Sequence, residues 1–253
     1  MSTTSSLDSE RRRQALARLV EEHGSVSLAD AASAFEVSQM TVRRDLLELE
    51  AAGLVRRVRG GAIPTPGPQR FGVRSNLQRD AKTVIARKAA GLVPRGGAIA
   101  MDASTTVGAL IASLSGDDGV TVVTNSWENF SAARRAGFMN SLLTGGEAEA
   151  STDSFVGPLA CRAAASMSYS TLFTSASGVQ SDLGSMDVSL SEAQVKQEFA
   201  RSAERIVLLL DSSKLGERDV ARSFEWEQID LLVTELDPTD ARLRAYRDVV
   251  DVR

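Results

Sequence analysis

Residues 38–52, SQMTVRRDLLELEAA, restrict what this chain can fold into more than any other stretch. Val42, Leu46 and Leu49 recur at intervals of four and three, the spacing of one helical face, with Leu47 at its margin. Ser38 precedes this run as a capping residue able to accept a first-turn N–H, and Gly53 follows it as a terminator. Two other helices come first. Residues 8–23 place Leu16, Leu19 and Val20 on one face, with Asp8 or Ser9 as cap and Gly24 as stop. After a short extended piece at 25–27, Ser27 caps LADAASAF, which buries Leu28, Ala31, Ala32 and Phe35. Glu36-Val37-Ser38 is a tight turn into the third helix. Beyond Gly53, the β-prone segments 54–58 and 62–63 flank Arg59-Gly60-Gly61, a turn where glycine supplies positive φ. Three helices joined by short turns and followed by a hairpin predict a small α+β winged helix-turn-helix domain over residues 1–63.

In that architecture the third helix enters the major groove, so its exposed N-terminal side chains must reach bases and phosphates. Those are Ser38, Gln39, Met40, Thr41, Arg43 and Arg44. Arg56, Arg57 and Arg59 extend along the wing, suited to backbone phosphates or the minor groove. Asp45 is expected to orient an arginine. The net charge of −4 does not argue against this assignment, because residues 1–63 hold nine Arg and nine acids and five of those Arg cluster in the third helix and wing. A plain solvated surface, or a bundle that binds protein instead of DNA, is the competing interpretation of the same arginines.

The stretch VSLADAASAFEVSQMTVRRDLLELEAAGLVRRVRGGA resembles the signature of the DeoR family: a V-S-x-x-T-[IV]-R-R-D-L-x-x-L-E run, then G-L-[LV], then a wing ending in H-G-G-A. The resemblance implies binding of double-stranded operator DNA. Arg59 stands where the family usually has His, which keeps positive charge in the wing.

After Ile63, PTPGPQRFG carries three prolines in five residues and fits neither helix nor central strand, so residues 64–76 are expected to form a linker. Residues 77–253 then alternate. Helical patterns at 81–92, 107–114, 128–136, 156–167 and 190–203 are interleaved with short apolar strands at 98–101, 120–124, 140–144, 171–174 and 206–210, and segments 231–234 and 249–252 are strand candidates. That alternation predicts an α/β domain with a largely parallel sheet covered on both faces.

The family resemblance continues here in Lys82-x-x-Ile85-Ala86, AIAMDASTT, Thr124-Asn125-Ser126, Gly145-Gly146 and VLLLDSSKLG. It implies a sensor domain resembling ribose-5-phosphate isomerase that responds to a phosphorylated sugar or polyol. Ligands of open α/β sheets bind beyond strand C-terminal ends, where this chain has Asp102, Ser104, Thr105 and Thr106, then Thr124 and Asn125, then Gly145 and Gly146, then Asp211 and Lys214. Hydroxyls at a helix start suit an anion, and they equally suit simple N-capping. Lys82 and Gly178 join the set through the resemblance. Lys196, four residues after Glu192, fits either a ligand contact or an ordinary helix-surface ion pair. Ser104 replaces the family's usual Gly, and FTSASG at 173–178 departs from its F-[IL]-G-x-x-G.

A single Cys161 excludes an internal disulfide, and the single His23 lies far from these strand ends, so neither a metal site nor a cofactor is expected. No apolar run approaches a membrane span and no secretory signal opens the chain, so a cytoplasmic location without a membrane partner is expected. These features together predict a homo-oligomeric, dimeric or tetrameric transcriptional regulator, a repressor relieved by its effector, with no catalytic residues. The alternative is an active sugar-phosphate isomerase with a DNA-binding appendage, with Asp102, Glu147, Asp182 or Asp211 as base and Lys214 as electrophile.

Overall fold

The computed structural model describes residues 3–23, 25–64, 71–116, 119–150 and 152–253, and the chain divides into two units, Met1–Leu77 and Gln78–Arg253. In the first unit, α1 (Thr3–His23), α2 (Leu28–Ala34) and α3 (Gln39–Ala51) pack around a core of Leu16, Val20, Ala31, Val42, Leu46 and Leu49. α1 begins at Thr3, ahead of the cap expected at Asp8 or Ser9, whereas the other two expected caps are made: Ser27 Oγ accepts from the Asp30 N–H at 3.0 Å, and Ser38 Oγ from the Thr41 N–H at 3.1 Å. Each satisfies one of the orphan donors of a helix start.

The wing is a hairpin of β2 (Val55–Val58) and β3 (Gly61–Pro64), and β1 (Val26–Ser27) adds to β3 to give an antiparallel sheet of order β1-β3-β2. Gly61 is obligatory for close approach, since a Cβ there would stand 1.9 Å from the Val26 carbonyl oxygen. Of the stretch expected as linker, Pro64 closes β3, residues 65–70 lie outside the described residues, and Phe71–Asn76 forms a short helix, α4. The prolines that argued against helix all precede Phe71.

The second unit is built on six parallel strands: β4 (Gly97–Met101), β5 (Val120–Thr124), β6 (Asn140–Leu143), β9 (Thr171–Thr174), β12 (Ile206–Leu209) and β14 (Leu231–Val233). Their order is β14-β12-β9-β4-β5-β6. Side chains alternate between two cores. Ile99, Met101, Val122, Phe173, Val207 and Leu209 meet α5 (Arg79–Ala90), α6 (Thr105–Ser113) and α7 (Trp127–Ala136) on one face. Ala100, Val123, Leu172 and Leu208 meet α8 (Gly157–Ala165) and α9 (Leu190–Arg201) on the other. Burial on both faces is why the central strands are mostly apolar, whereas β6, at the sheet edge, carries Asn140 and Ser141 and is partly exposed.

Two small antiparallel additions were not evident in the sequence: a hairpin of β7 (Glu147–Glu149) and β8 (Ser154–Val156), and a sheet of β10 (Gly178–Gln180), β11 (Gly184–Asp187) and β13 (Ala221–Phe224). The segment expected as a strand at 249–252 contributes one parallel bridge, Val252 to Leu232, at the β14 edge. The sheet order runs outward in both directions from the β4–β9 boundary. That is the topological switch point, where strand C-terminal ends open a crevice.

Candidate functional site

Two surfaces carry unusual chemistry, one in each unit. On α3, Val42, Asp45, Leu46 and Leu49 are buried, while Gln39, Met40, Arg43, Arg44 and Leu47 are exposed. Met40 is 69% exposed although apolar, which a helix end waiting for a partner tolerates better than a finished surface. Asp45 does orient an arginine, but from α1. Arg12 Nε meets its Oδ2 at 2.6 Å and Arg12 Nη2 its Oδ1 at 3.2 Å, a two-pronged pair that clamps α1 onto α3. Arg43 and Arg44 thereby keep their exposure. In the wing, Arg56, Arg57 and Arg59 are exposed as well, and Arg57 is in addition held by Glu50 through its backbone N–H (2.9 Å) and its Nε (2.6 Å). Arg57 thus fixes the wing against the end of α3, a role its sequence position did not reveal.

The second surface lies at the β4–β9 switch point. Asp102, directly after β4, is fully buried. Its Oδ1 accepts from the Ser104 N–H at 2.9 Å, and its Oδ2 accepts from Thr174 Oγ1 at 2.7 Å and the Ser175 N–H at 3.1 Å, tying the end of β4 to the end of β9. The ammonium of Lys196, reaching in from α9, completes the set. It donates to Asp187 Oδ1 at 2.6 Å and to the Ser175 carbonyl at 2.8 Å, and it forms an ion pair with Asp102 Oδ2 at 3.2 Å. Ser223 Oγ donates to the other oxygen of Asp187.

Burial alone would push the Asp102 carboxyl up, but the Lys196 charge and the Ser104 and Thr174 bonds outweigh it and hold it below the usual carboxylate range. Lys196 loses hydration too, yet Asp187, Asp102 and Glu192 hold it above the usual lysine range. One helical turn earlier, Glu192 is also buried, and its Oε1 accepts from Thr152 Oγ1 at 3.1 Å and from Ser154 Oγ. Burial is the largest influence on Glu192 and raises its pKa despite the lysine beside it.

The remaining strand ends approach the same edge. Ser104 caps α6 by accepting from the Val107 N–H at 3.2 Å, with Thr105 and Thr106 buried in the first turn. Thr124 Oγ1 accepts from the Ser126 N–H at 3.1 Å, and Ser126 caps α7. Asn129 donates from Nδ2 to the Asp102 and Ser104 carbonyls at 2.7 and 3.1 Å, and Asn125 from Nδ2 to the Phe155 carbonyl at 3.1 Å. Gly145 and Gly146 both have positive φ, and a Cβ on Gly146 would fall 2.5 Å from the Val156 carbonyl at the start of α8. Asp211 follows β12 at the same edge and caps the short turn Ser212–Lys214. Gly178 opens β10, where a Cβ would fall 2.5 Å from the Glu217 carbonyl. Lys82 is buried on α5.

Family models match both units: the DeoR-like helix-turn-helix domain over residues 12–65 and the DeoR C terminal sensor domain over residues 77–236. The chain belongs to the DeoR family. The lactose phosphotransferase system repressor of Streptococcus mutans is 31% identical over 251 residues, covering 96% of this chain and 99% of that protein. The putative aga operon transcriptional repressor of Escherichia coli O157:H7 is 28% identical over 233 residues, covering 90% of this chain and 86% of that one. Among solved structures, ribose 5 phosphate isomerase A from Neisseria gonorrhoeae aligns at 20% identity with a TM-score of 0.39, covering 57% of this chain and 55% of that chain.

Within this DeoR-family sensor unit, the expected residues Asp102, Ser104, Thr105, Thr106, Thr124 and Asn125 fall along adjoining strand ends. The surface-pair reading of Lys196 is corrected: it is 3% exposed and its ammonium turns to Asp102 and Asp187. The signal was present, because Lys196 shares a helical face with Ala193 and Phe199, both buried. Asp187, Ser223, Thr152, Ser154 and Asn129 were missed. Thr152 and Ser154 share one hairpin, while Asp187, Ser223 and Asn129 come from β11, β13 and α7, and no local pattern links any of them to Asp102 or Lys196.

Proposed function

We propose that this chain is a transcriptional repressor of a carbohydrate operon that holds double-stranded operator DNA with α3 and the wing and lets go when a phosphorylated sugar or polyol binds the sheet edge around Asp102. The observation that carries the reading is the division of α3. Its apolar stripe and Asp45 are buried by the bundle, and Gln39, Met40, Thr41, Arg43 and Arg44 remain to meet a base edge or a phosphate. Arg56 and Arg59 supply further phosphate contacts from the wing. Repressor names among the DeoR-family relatives support the sign of control.

One recognition helix reads too few base pairs for genomic specificity, so the working form is a homo-oligomer, dimer or tetramer, on symmetric half-sites. Its place of action is with the DNA, in the cytoplasm. At the sheet edge, Ser104, Thr105, Thr106, Thr124, Asn125, Gly145, Gly146, Asp211 and Lys214 would surround the effector. Asp102 and Lys196 act from beneath, joining β4, β9 and α9 so that a ligand seated on the loops can shift all three. Lys196 is already committed to Asp187, the Ser175 carbonyl and Asp102, and both oxygens of Asp102 accept hydrogen bonds, which favours binding without turnover over isomerase chemistry.

Gel retardation of DNA from upstream of the regulated genes tests the assignment. Arg43→Ala and Arg44→Ala weaken retardation while the thermal shift produced by the effector is retained; Thr105→Ala and Lys214→Ala retain retardation and lose release. Unchanged retardation in the arginine variants refutes the α3 surface.

A further inference from the structure

Among the described residues of the sensor unit, three buried side-chain polar atoms lack a hydrogen-bond partner: Asn125 Oδ1, Asn129 Oδ1 and Ser185 Oγ. Of these, Asn125 directly follows β5 and Asn129 lies in the first turn of α7, where it bonds the Asp102–Ser104 loop. Their orientation is not arbitrary. The Asn129 amide donates to two backbone carbonyls and the Asn125 amide to one, and carbonyls only accept, so turning either amide over would set oxygen against oxygen. Both side chains are fully buried, and the atoms left over are both acceptors. Such groups are normally matched, and a buried acceptor without a donor destabilises the state that contains it.

The neighbouring start of α6 has the opposite character. Its first intrahelical bond runs from the Gly108 N–H to the Ser104 carbonyl, which leaves the Thr105 and Thr106 N–H groups at a positive helix end, and Ser104 Oγ is already committed to the Val107 N–H. Donors therefore lie on the α6 side of the Asp102–Ser104 loop and unmatched buried acceptors on its β5–α7 side. A phosphate dianion is made of acceptors and is attracted to the first and repelled by the second.

Resting on the effector reading above, we infer that the pocket is polarised: the phosphate of the effector lies at the first turn of α6, and a donor on the same molecule, a hydroxyl or an amine, is read by the side-chain oxygens of Asn125 and Asn129. Asn129 is then a specificity-determining residue. It also holds the Asp102–Ser104 loop, so the side chain that reads the donor is the one that orders the anion side.

The test uses the full chain. A panel of pentose 5-phosphates, hexose 6-phosphates and the matching polyol phosphates is screened by thermal shift, and the tightest binder is compared by calorimetry with its single deoxy and deoxyfluoro analogues. Fluorine keeps the size of a hydroxyl but cannot donate. At one position both analogues bind about tenfold or more weaker than the parent, because a site built to pair with a hydroxyl rejects its absence strongly. Asn129→Leu removes that difference. If Asn129→Leu does not fold, the analogue series on the wild type decides alone. Analogues that all match the parent overturn the inference, as does a fluoro analogue that binds like the hydroxyl, or an Asn129→Leu protein that weakens parent and analogues equally. A protein that responds to no phosphorylated member of the panel refutes the effector reading itself, and this inference with it.

Discussion

Replacing Lys196 with Met keeps an unbranched stem in the same buried position and removes one charge, its two donated bonds and its ion pair with Asp102. Asp102 retains its bonds from Ser104, Thr174 and Ser175, whereas Asp187 retains the one from Ser223. Two buried carboxylates then share a space with no cation. Removing one partner of a buried pair costs about 3–5 kcal/mol, and here a single lysine serves two partners, which favours the upper part of that range. Both tryptophans, Trp127 and Trp226, lie in the sensor unit, so fluorescence excited selectively at tryptophan follows urea unfolding of that unit alone. The midpoint should fall with little change in slope.

The pH dependence has a definite sign. Asp102 is depressed in the folded protein, so its contribution is present above the pKa of an unfolded aspartate and is lost as pH falls through the lower folded value. Lys196 is raised, so its contribution is complete below the pKa of an unfolded lysine and does not vary near neutrality. In the Met variant Asp102 loses its cation, and its pKa rises. Protonation then relieves the repulsion, and the penalty shrinks as pH is lowered from about 8 to about 5. A penalty below about 1 kcal/mol at neutral pH, the scale of an exposed pair, would refute this account, and so would a penalty that does not change with pH.

Glu192→Gln should act in the opposite direction. The folded pKa of Glu192 is raised, so its favourable contribution is present below the unfolded value and is lost as pH rises through the folded one; the Gln variant should melt higher than wild type at about pH 8, with the gap closing toward acid. An equal loss of stability at every pH would contradict this. Ser38→Ala removes the acceptor of the Thr41 N–H and should cost the first unit about 1 kcal/mol, read as faster amide exchange at the start of α3; unchanged exchange would show that the cap does not hold the helix.

The architecture was largely legible in the sequence because its signals are local. Capping by Ser27 and Ser38, the four-and-three spacing of Val42, Leu46 and Leu49, and the apolar strands flanked by helices each lie within a single window of the chain. The antiparallel additions were not legible. β7, β8 and β10 are three residues long, and Ser185 and Asp187 are polar yet buried, so the alternation that marks a half-exposed strand is missing. The partners of Asp102 failed for a different reason: Thr174, Lys196 and the Asn129 amide come from three other elements, and only the order β9-β4-β5 brings them together. Arg12 and Asp45 were each visible as charges, but 33 positions separate them and nothing local pairs them.

The central claim is that ligand binding at the sheet edge controls the grip of α3 on DNA. Fluorescence anisotropy of a labelled upstream fragment tests it directly, at fixed salt, with saturating protein and increasing amounts of the phosphorylated sugar that gives the largest thermal shift. The account predicts that the DNA is released along the same curve that describes binding of the sugar phosphate, as differential affinity for two states requires. A sugar phosphate that saturates the protein while the DNA stays bound would contradict it.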